Sequence, residues 1–244
     1  GRLVVYVNGF RLDAYKDYLM TSPIINFIGL RAQKPWEHDK RFFKEDVYRY
    51  WQSFEINFWN GIEQRFYVDG MYKPTSKGEE RFTRGKKEGK LLAEKIKSGE
   101  IKVEDGEIIK LVGHSHGGAH SMGMTQGLID EEIDPKLIKV FLFAPHQPNQ
   151  IPDVPPVDIF QYSRSGDKVS STGLLSILFG ESTLASAGLG SFNLLSDGND
   201  DGYGNHGIQT YTIKEVKKAN PNLYKWSIEQ GIINEDGTLN EDQE

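Results

Sequence analysis

The stretch EIIKLVGHSHGGAH, residues 107–120, decides the predicted fold, because an apolar run leads through a glycine-rich turn into a helical segment. The run EIIKLV, residues 107–112, predicts a β-strand that passes through the core. The segment from Gly118 to about Asp130 predicts an α-helix. A strand followed at once by a helix is typical of a parallel α/β sheet.

The turn between this strand and this helix contains a candidate nucleophile. Gly113, Ser115 and Gly117 fit the pattern G-x-S-x-G. A serine on a tight strand-to-helix turn adopts strained backbone angles, so the residues two positions away must be small. The turn then projects the hydroxyl above the sheet and near the positive end of the helix. The pattern in this context favours a nucleophile over a glycine-rich turn that merely contains a serine.

Further strand and helix signals alternate along the chain, and we find no internal repeat. We therefore predict one α/β domain, residues 1–244, with a mostly parallel sheet of about six strands flanked by helices. The other predicted strands are 3–7, 65–70, 137–145 and 157–163, with a less regular candidate at 191–195. The segment 212–221 predicts a short helix that Pro221 closes.

Two further segments have the periodicity of helices. In residues 76–99, Ser76 and Glu79 have capping-box spacing, and Gly85 and Gly89 share a face that we expect to approach the sheet closely. The basic residues from Arg81 to Lys97 alternate with glutamates, which indicates a solvated face. The aromatic block 42–59 also has helical spacing, which favours a place in the core over a lipid- or sugar-binding surface.

Composition excludes several classes of protein. The 244 residues are 37% hydrophobic and 26% charged, which is typical of a globular domain. The net charge of −6 predicts no nucleic-acid partner. The longest mostly apolar stretch, 173–195, is interrupted by polar residues and predicts no transmembrane segment. The absence of cysteine excludes disulfides and thiolate metal sites. Gly1 precedes a core strand directly, so a cytoplasmic protein and a secreted one with its leader removed both fit.

The motif GHSHGG, residues 113–118, resembles the nucleophile elbow of lipases and esterases in the α/β-hydrolase superfamily. This resemblance implies a nucleophile, an acid and a histidine base in that order along the chain. Ser115 is then the nucleophile, Asp167 in RSGDKVS the acid, and His206 in the late loop DGYGNHGIQTY the base. The alternatives are His114 and His116 for the base, and Asp197, Asp200 and Asp201 for the acid.

The resemblance also implies donors for an oxyanion and residues that line the substrate pocket. One donor is the N–H of His116, which follows the nucleophile, and the other is the N–H of Phe10 in the loop after the first strand. Gly9 would allow the close backbone approach there, although this loop lacks the HGGG run of many lipases. His114 and His146 are candidate substrate-binding residues.

Two segments late in the chain each permit two interpretations. Residues 170–196 form an apolar insertion that is either a lid over an acyl pocket or part of the core. Asp197, Asn199 and Asp201 match the first ligand positions of a calcium loop, but the twelfth position is Ile208, where a bidentate glutamate is required. A solvated polar loop is therefore favoured, so we expect neither a metal nor a cofactor; the alternative is a calcium site of another type that steadies the loop of His206.

The residues together predict a serine hydrolase of carboxylic esters, either a lipase or phospholipase or a small-ester esterase. The expected substrate is a small-molecule or lipid ester, and a lipid substrate would bring transient contact with a lipid surface. Thioesterases, peptidases and acyltransferases use the same triad, so the triad does not select the leaving group. A catalytically inactive binding module and the catalytic end of a larger chain are the remaining alternatives.

Overall fold

The computed structural model describes residues 3–9, 51, 54–55, 64–70, 76–146, 150–164, 191–195, 208, 211, 221–229, 231 and 233–236. The strands are β1 (Leu3–Asn8), β2 (Gln64–Asp69), β3 (Ile109–His114), β4 (Ile138–Phe143), β5 (Asp158–Arg164) and β6 (Ser191–Leu195). The helices are α1 (Gly78–Lys97), α2 (Gly117–Asp130) and α3 (Pro221–Glu229), with a short 3₁₀ helix at Pro135–Leu137.

The strands form one parallel sheet in the order β2-β1-β3-β4-β5-β6. Every neighbouring pair runs in the same direction, and β1 pairs with β2 on one side and with β3 on the other. The predicted parallel α/β arrangement with flanking helices is therefore confirmed. From β1 the chain goes outward to β2, returns through α1 to β3, and then continues away from β1 through β4 and β5. The direction of winding thus reverses between β1 and β3.

The central strands of the sheet are buried on both faces, as their continuous apolar runs predict. All six residues of β1 and all six of β3 are buried. On one face Val5 and Leu111 pack with residues of α1 and α2 such as Leu92 and Met122. On the opposite face lies an aromatic cluster, which includes Tyr6, Trp51, Phe54, Phe143 and Tyr162.

Two aromatic residues of the block 42–59, Trp51 and Phe54, are described by the structure, and both are helical. Both side chains are fully buried, and their rings are 5.5 Å apart in an edge-to-face arrangement. Trp51 also stacks on Tyr6 of β1 at 4.9 Å. At these two positions the core interpretation is confirmed.

Helices α1 and α2 pack through glycines, which corrects the expected partner of the glycine face. A Cβ atom on Gly85 would lie 2.0 Å from the carbonyl oxygen of His120, and one on Gly89 would lie 2.1 Å from that of Met124. On α2, a Cβ atom on Gly123 would lie 2.0 Å from the carbonyl oxygen of Phe82. The glycines therefore bring α1 against α2 and not against the sheet.

A buried hydrogen bond joins the same two helices. His120 Nε2 lies 2.6 Å from Glu88 Oε2, and both side chains are almost completely buried. Arg84 Nε lies 3.5 Å from the other oxygen of Glu88. His120 therefore has a structural partner on α1, which is consistent with a packing role.

One helix end differs from the sequence prediction, and a second adds to it. The N-cap of helix α1 is Lys77, one residue later than the predicted cap at Ser76, and the N–H of Lys77 donates to Glu80 Oε2 at 3.0 Å. Pro221 begins helix α3, while the helix predicted before it, over 212–220, lies outside the described residues. Proline fits the first turn of a helix because the N–H that it lacks would have no helical partner there.

Candidate active site

The turn after β3 holds Ser115 in a left-handed backbone conformation. Strand β3 continues to His114, two residues further than predicted, and α2 begins at Gly117. Ser115 lies between them with φ of 54°, a value that costs a non-glycine residue about 1–2 kcal/mol. The sharp strand-to-helix turn therefore centres on the residue that the sequence identified as the candidate nucleophile.

Backbone hydrogen bonds hold Ser115 in this conformation. Its N–H donates to the carbonyl of Phe143, the last residue of β4, at 3.1 Å. Its carbonyl accepts from the N–H of Gly118 and from the N–H of His146, each at 3.0 Å. The peptide plane before Ser115 is thus tied to the end of β4, and the one after it is tied to α2 and to the segment that follows β4.

The turn after β4 has a similar geometry. Ala144 follows β4 directly, has φ of 44°, and donates its N–H to the carbonyl of Tyr162 at 2.7 Å. Two neighbouring strands therefore each lead into a left-handed residue that bonds to the next strand of the sheet. This brings Ser115 and His146 to the same edge of the sheet.

Glycines allow the chain to pack tightly around the turn. A Cβ atom on Gly113 would lie 2.5 Å from Ser121 Oγ, and one on Gly117 would lie 2.2 Å from the carbonyl oxygen of Val7. A Cβ atom on Gly9, directly after β1, would lie 2.6 Å from the Cβ of Ser115. A larger residue at any of these positions would displace the turn or the end of β1.

Gly9 and Ser115 lie at the carboxyl ends of β1 and β3, the pair of strands between which the winding reverses. In open α/β sheets, ligands bind in the crevice outside the carboxyl ends of the strands at such a reversal. The topology alone therefore points to the place where the sequence motif lies. Ser115 is 3% exposed.

His116 lies at the start of α2 beside the serine. Its carbonyl accepts from Arg81 Nε at 3.1 Å, and its ring packs against the ring of His146 with centroids 4.6 Å apart. Both rings are buried. The Ser115–His116 peptide is trans, so its N–H and C=O point in opposite directions. Since the carbonyl of Ser115 points to Gly118 and His146, the N–H of His116 points to the other side of that peptide.

His114 and His146, the candidate substrate-binding residues, are both buried. His114 is the last residue of β3, and Trp51 packs edge-on against its ring at 6.4 Å. His146 is 1% exposed, and its backbone contacts Ser115 as described above. His146 therefore adjoins the elbow, while its role and that of His114 in binding a substrate stay predictions.

Several predicted site residues lie outside the described part of the chain. They are the acid Asp167, the base His206, the second oxyanion donor Phe10, and the calcium-loop residues Asp197, Asn199 and Asp201. The candidate lid 170–196 lies outside it except for the backbone of β6. Their proposed roles stay predictions. Of the residues predicted for the site, the structure brings together Gly9, Ser115, His116 and His146.

Arg81 is a buried cation next to this turn, which corrects its assignment to a solvated helix face. Its side chain is fully buried and donates to the carbonyls of Ser76, His116 (3.1 Å) and His146 (3.3 Å). Burial lowers the pKa of Arg81 to about 10, against the opposing effect of the Glu80 carboxylate. Arg81 therefore stays charged at neutral pH.

The signal for Arg81 was present in the spacing of α1. Arg81, Gly85, Glu88 and Leu92 follow one another at intervals of four, three and four residues, and all are buried. A charged residue in register with a glycine-containing apolar face indicates burial even within a strongly charged helix. The alternation of charges along the rest of α1 concealed this register.

Among the described residues, no group of three or more His, Asp or Glu side chains is arranged to hold a metal ion. In the same part of the chain, no helix has the length and apolarity needed to cross a membrane. Comparison with known proteins adds no assignment: no family model matches the chain, and no curated protein matches it significantly.

Proposed function

We propose that this chain is a serine hydrolase of the α/β-hydrolase type that cleaves carboxylic esters through an acyl-enzyme. The observation that carries the proposal is the left-handed backbone of Ser115 directly after β3 and before α2, where the sheet reverses its winding. A strained residue persists only when its surroundings hold it in place, and such residues cluster at functional sites.

The identity of the strained residue supports a nucleophile over a simple turn. Glycine adopts a positive φ without a steric cost and is abundant in this segment, at positions 113, 117 and 118. A turn without chemistry would favour glycine at position 115 as well. Serine at the strained position, at the positive end of α2, is the arrangement that stabilises developing negative charge.

In the proposed mechanism Ser115 Oγ attacks the ester carbonyl while His206 accepts the hydroxyl proton. Asp167 orients His206 and stabilises its cation. The N–H groups of His116 and Phe10 bind the oxyanion of the tetrahedral intermediate. His206 then protonates the leaving alcohol, and the acyl-enzyme remains. Water, deprotonated by His206, attacks the acyl-enzyme to release the acid and restore Ser115.

The proposed substrate is a lipid ester or a small-molecule ester. The elbow sequence GHSHGG and the apolar part of segment 170–196 that precedes β6 favour a lipase or phospholipase, with that part as a lid that contacts acyl chains. On a lipid substrate the protein would contact the lipid surface transiently. The proposed chemistry requires neither a cofactor nor a metal.

The first experiment compares the hydrolysis of p-nitrophenyl esters from C2 to C16 by the wild type, Ser115→Ala and Ser121→Ala. Ser121 is a matched control, since it is a buried serine on α2 that bonds locally to the carbonyl of Gly118 at 2.8 Å. We expect turnover in the wild type and in Ser121→Ala, and its loss in Ser115→Ala. The chain-length optimum then separates a lipase-like pocket from a small-ester one.

A fluorophosphonate probe gives a second measurement that does not depend on the leaving group. It reacts with an activated serine and so labels Ser115 in a thioesterase, peptidase or acyltransferase as well as in an esterase. If the probe labels Ser115 but no ester is hydrolysed, the protein is assigned to one of those other classes and not to the esterases. If the folded wild type shows neither turnover nor labelling, the hydrolase proposal is wrong and a binding module is favoured.

A further inference from the structure

We propose that Arg81 is a positioning residue of this active site, which aligns the oxyanion donor of His116 by joining three backbone segments through one buried guanidinium. This inference rests on the proposed hydrolase function. The three segments are the residues before α1, the turn at Ser115 and the segment after β4. Arg81 contacts them through the carbonyls of Ser76, His116 and His146.

The contact with His116 acts on the helix side of the turn. Arg81 Nε binds the carbonyl of His116, which belongs to the His116–Gly117 peptide. The neighbouring Ser115–His116 peptide is held by Gly118 and His146, whose N–H groups both donate to the carbonyl of Ser115. With both peptides held, the orientation of the N–H of His116 is determined.

The contact with His146 orients the same N–H of His116 through the segment after β4. A terminal guanidinium nitrogen of Arg81 donates to the carbonyl of His146 at 3.3 Å, and the N–H of His146 donates to the carbonyl of Ser115 at 3.0 Å. Arg81 therefore reaches the Ser115–His116 peptide by two routes. Loss of the guanidinium would free the segment after β4 and the start of α2 at once.

The chemistry of arginine suits this role better than that of lysine. A guanidinium presents five donors in a rigid planar fork, whereas an ammonium group is a compact charge with donors on one atom. Arg81 uses separate nitrogen atoms for separate segments: Nε binds His116, one terminal nitrogen binds Ser76, and the other binds His146. A lysine would keep the charge but lose the geometry that connects the segments.

The burial of this charge indicates a specific task for the guanidinium at this turn. Taking a cation out of water is costly, and here the buried guanidinium lies directly against the backbone of the turn. The positive charge also lies next to the turn at which negative charge develops in the transition state. Both effects of Arg81, alignment and charge, act on the transition state more than on the bound substrate.

The test measures kcat, KM and fluorophosphonate labelling for Arg81→Lys and Arg81→Met, with melting temperatures for each variant. We expect Arg81→Met to lower kcat about 100-fold with little change in KM, because misaligned catalytic groups can cost that much. Arg81→Lys should show a smaller loss of about tenfold, since it keeps the charge. The labelling rate should fall in parallel, while the fraction of folded protein that is finally labelled stays that of the wild type.

Arg84→Met is the matched control, because it removes a cation three residues later on the same helix, where Arg84 contacts Glu88. Its kcat should stay within about twofold of the wild type. The inference is overturned if Arg81→Met keeps the kcat of the wild type, or if neither Arg81 variant folds. It is also overturned if the loss of activity equals the loss in the fraction of protein that the probe labels, because Arg81 would then act on folding alone. A wild type with no Ser115-dependent turnover or labelling would overturn both this inference and the proposed function.

Discussion

A Cβ atom on Gly9 would lie 2.6 Å from the Cβ of Ser115 and 2.8 Å from the carbonyl oxygen of His114. The end of β1 is therefore in direct contact with the turn after β3, although the two residues are far apart in the sequence. Since any side chain at position 9 would push on the candidate nucleophile, this contact couples the packing of the sheet to the geometry of the site.

We expect Gly9→Ala to lower both stability and reactivity. Overpacking at a contact this close costs about 1–3 kcal/mol, and its relief must move Ser115 or the end of β1. Urea unfolding measures the first effect, and the rate of fluorophosphonate labelling measures the second. Gly106→Ala is the control, because Gly106 has φ of 78° in an exposed turn and an added Cβ atom there would meet nothing within 4 Å beyond its chain neighbours. It should lose stability and keep the labelling rate; equal labelling rates in both variants would contradict the predicted coupling.

Ser115→Gly should stabilise the protein while abolishing its activity. Glycine adopts a positive φ without the steric cost that serine bears, so relief of the strain should raise the free energy of unfolding by about 0.5–1 kcal/mol after the larger entropy of the unfolded chain is included. Glu132→Gly is the comparison, since Glu132 has φ of 64° at the exposed end of α2. It should gain similar stability and keep full activity. Thermal unfolding that shows Ser115→Gly to be less stable than the wild type would argue against stored strain at the turn.

Gly85→Ala should destabilise the protein, although alanine is the better helix former. The added methyl group would lie 2.0 Å from the carbonyl oxygen of His120, a backbone atom that cannot move without α2. Overpacking of about 1–3 kcal/mol should exceed the gain of about 1 kcal/mol in helix propensity. Thr83→Ala, at an exposed position of the same helix, should change the free energy of unfolding by less than about 0.5 kcal/mol. If chemical denaturation finds the Gly85 variant as stable as the wild type, the close helix contact is wrong.

Lys110→Met should stabilise the protein at pH 7, and the difference should shrink as the pH rises. Burial in β3 lowers the pKa of Lys110 from 10.5 to about 8, against the opposing effect of Glu107. Below pH 8 the folded protein carries a buried charge that corresponds to about 3 kcal/mol of lost stability. Between pH 8 and 10.5 the unfolded state binds more protons, so the stability of the wild type rises relative to the variant. Urea unfolding of both proteins from pH 7 to 10 measures this change; a constant difference would exclude the shifted pKa.

Local patterns in the sequence were sufficient to predict the main elements. The apolar runs at 3–7, 65–70, 107–112, 137–145 and 157–163 all lie in or overlap parallel strands of the structure. Glycine spacing identified the turn at Ser115, because the small residues that the turn needs lie only two positions away in the chain, on either side of the serine. The start of helix α1 was predicted less well, since its cap is Lys77 and not Ser76, and capping depends on contacts of single residues.

What the sequence by itself determined is therefore the parallel α/β arrangement and the position of the candidate nucleophile, both of which follow from short-range spacing. Only the tertiary structure decided that Gly85 and Gly89 meet α2, and that Arg81 is buried against His116 and His146. Periodicity identifies which residues share a face of a helix. It does not identify what covers that face, because the covering segment comes from a distant part of the chain and is chosen by packing.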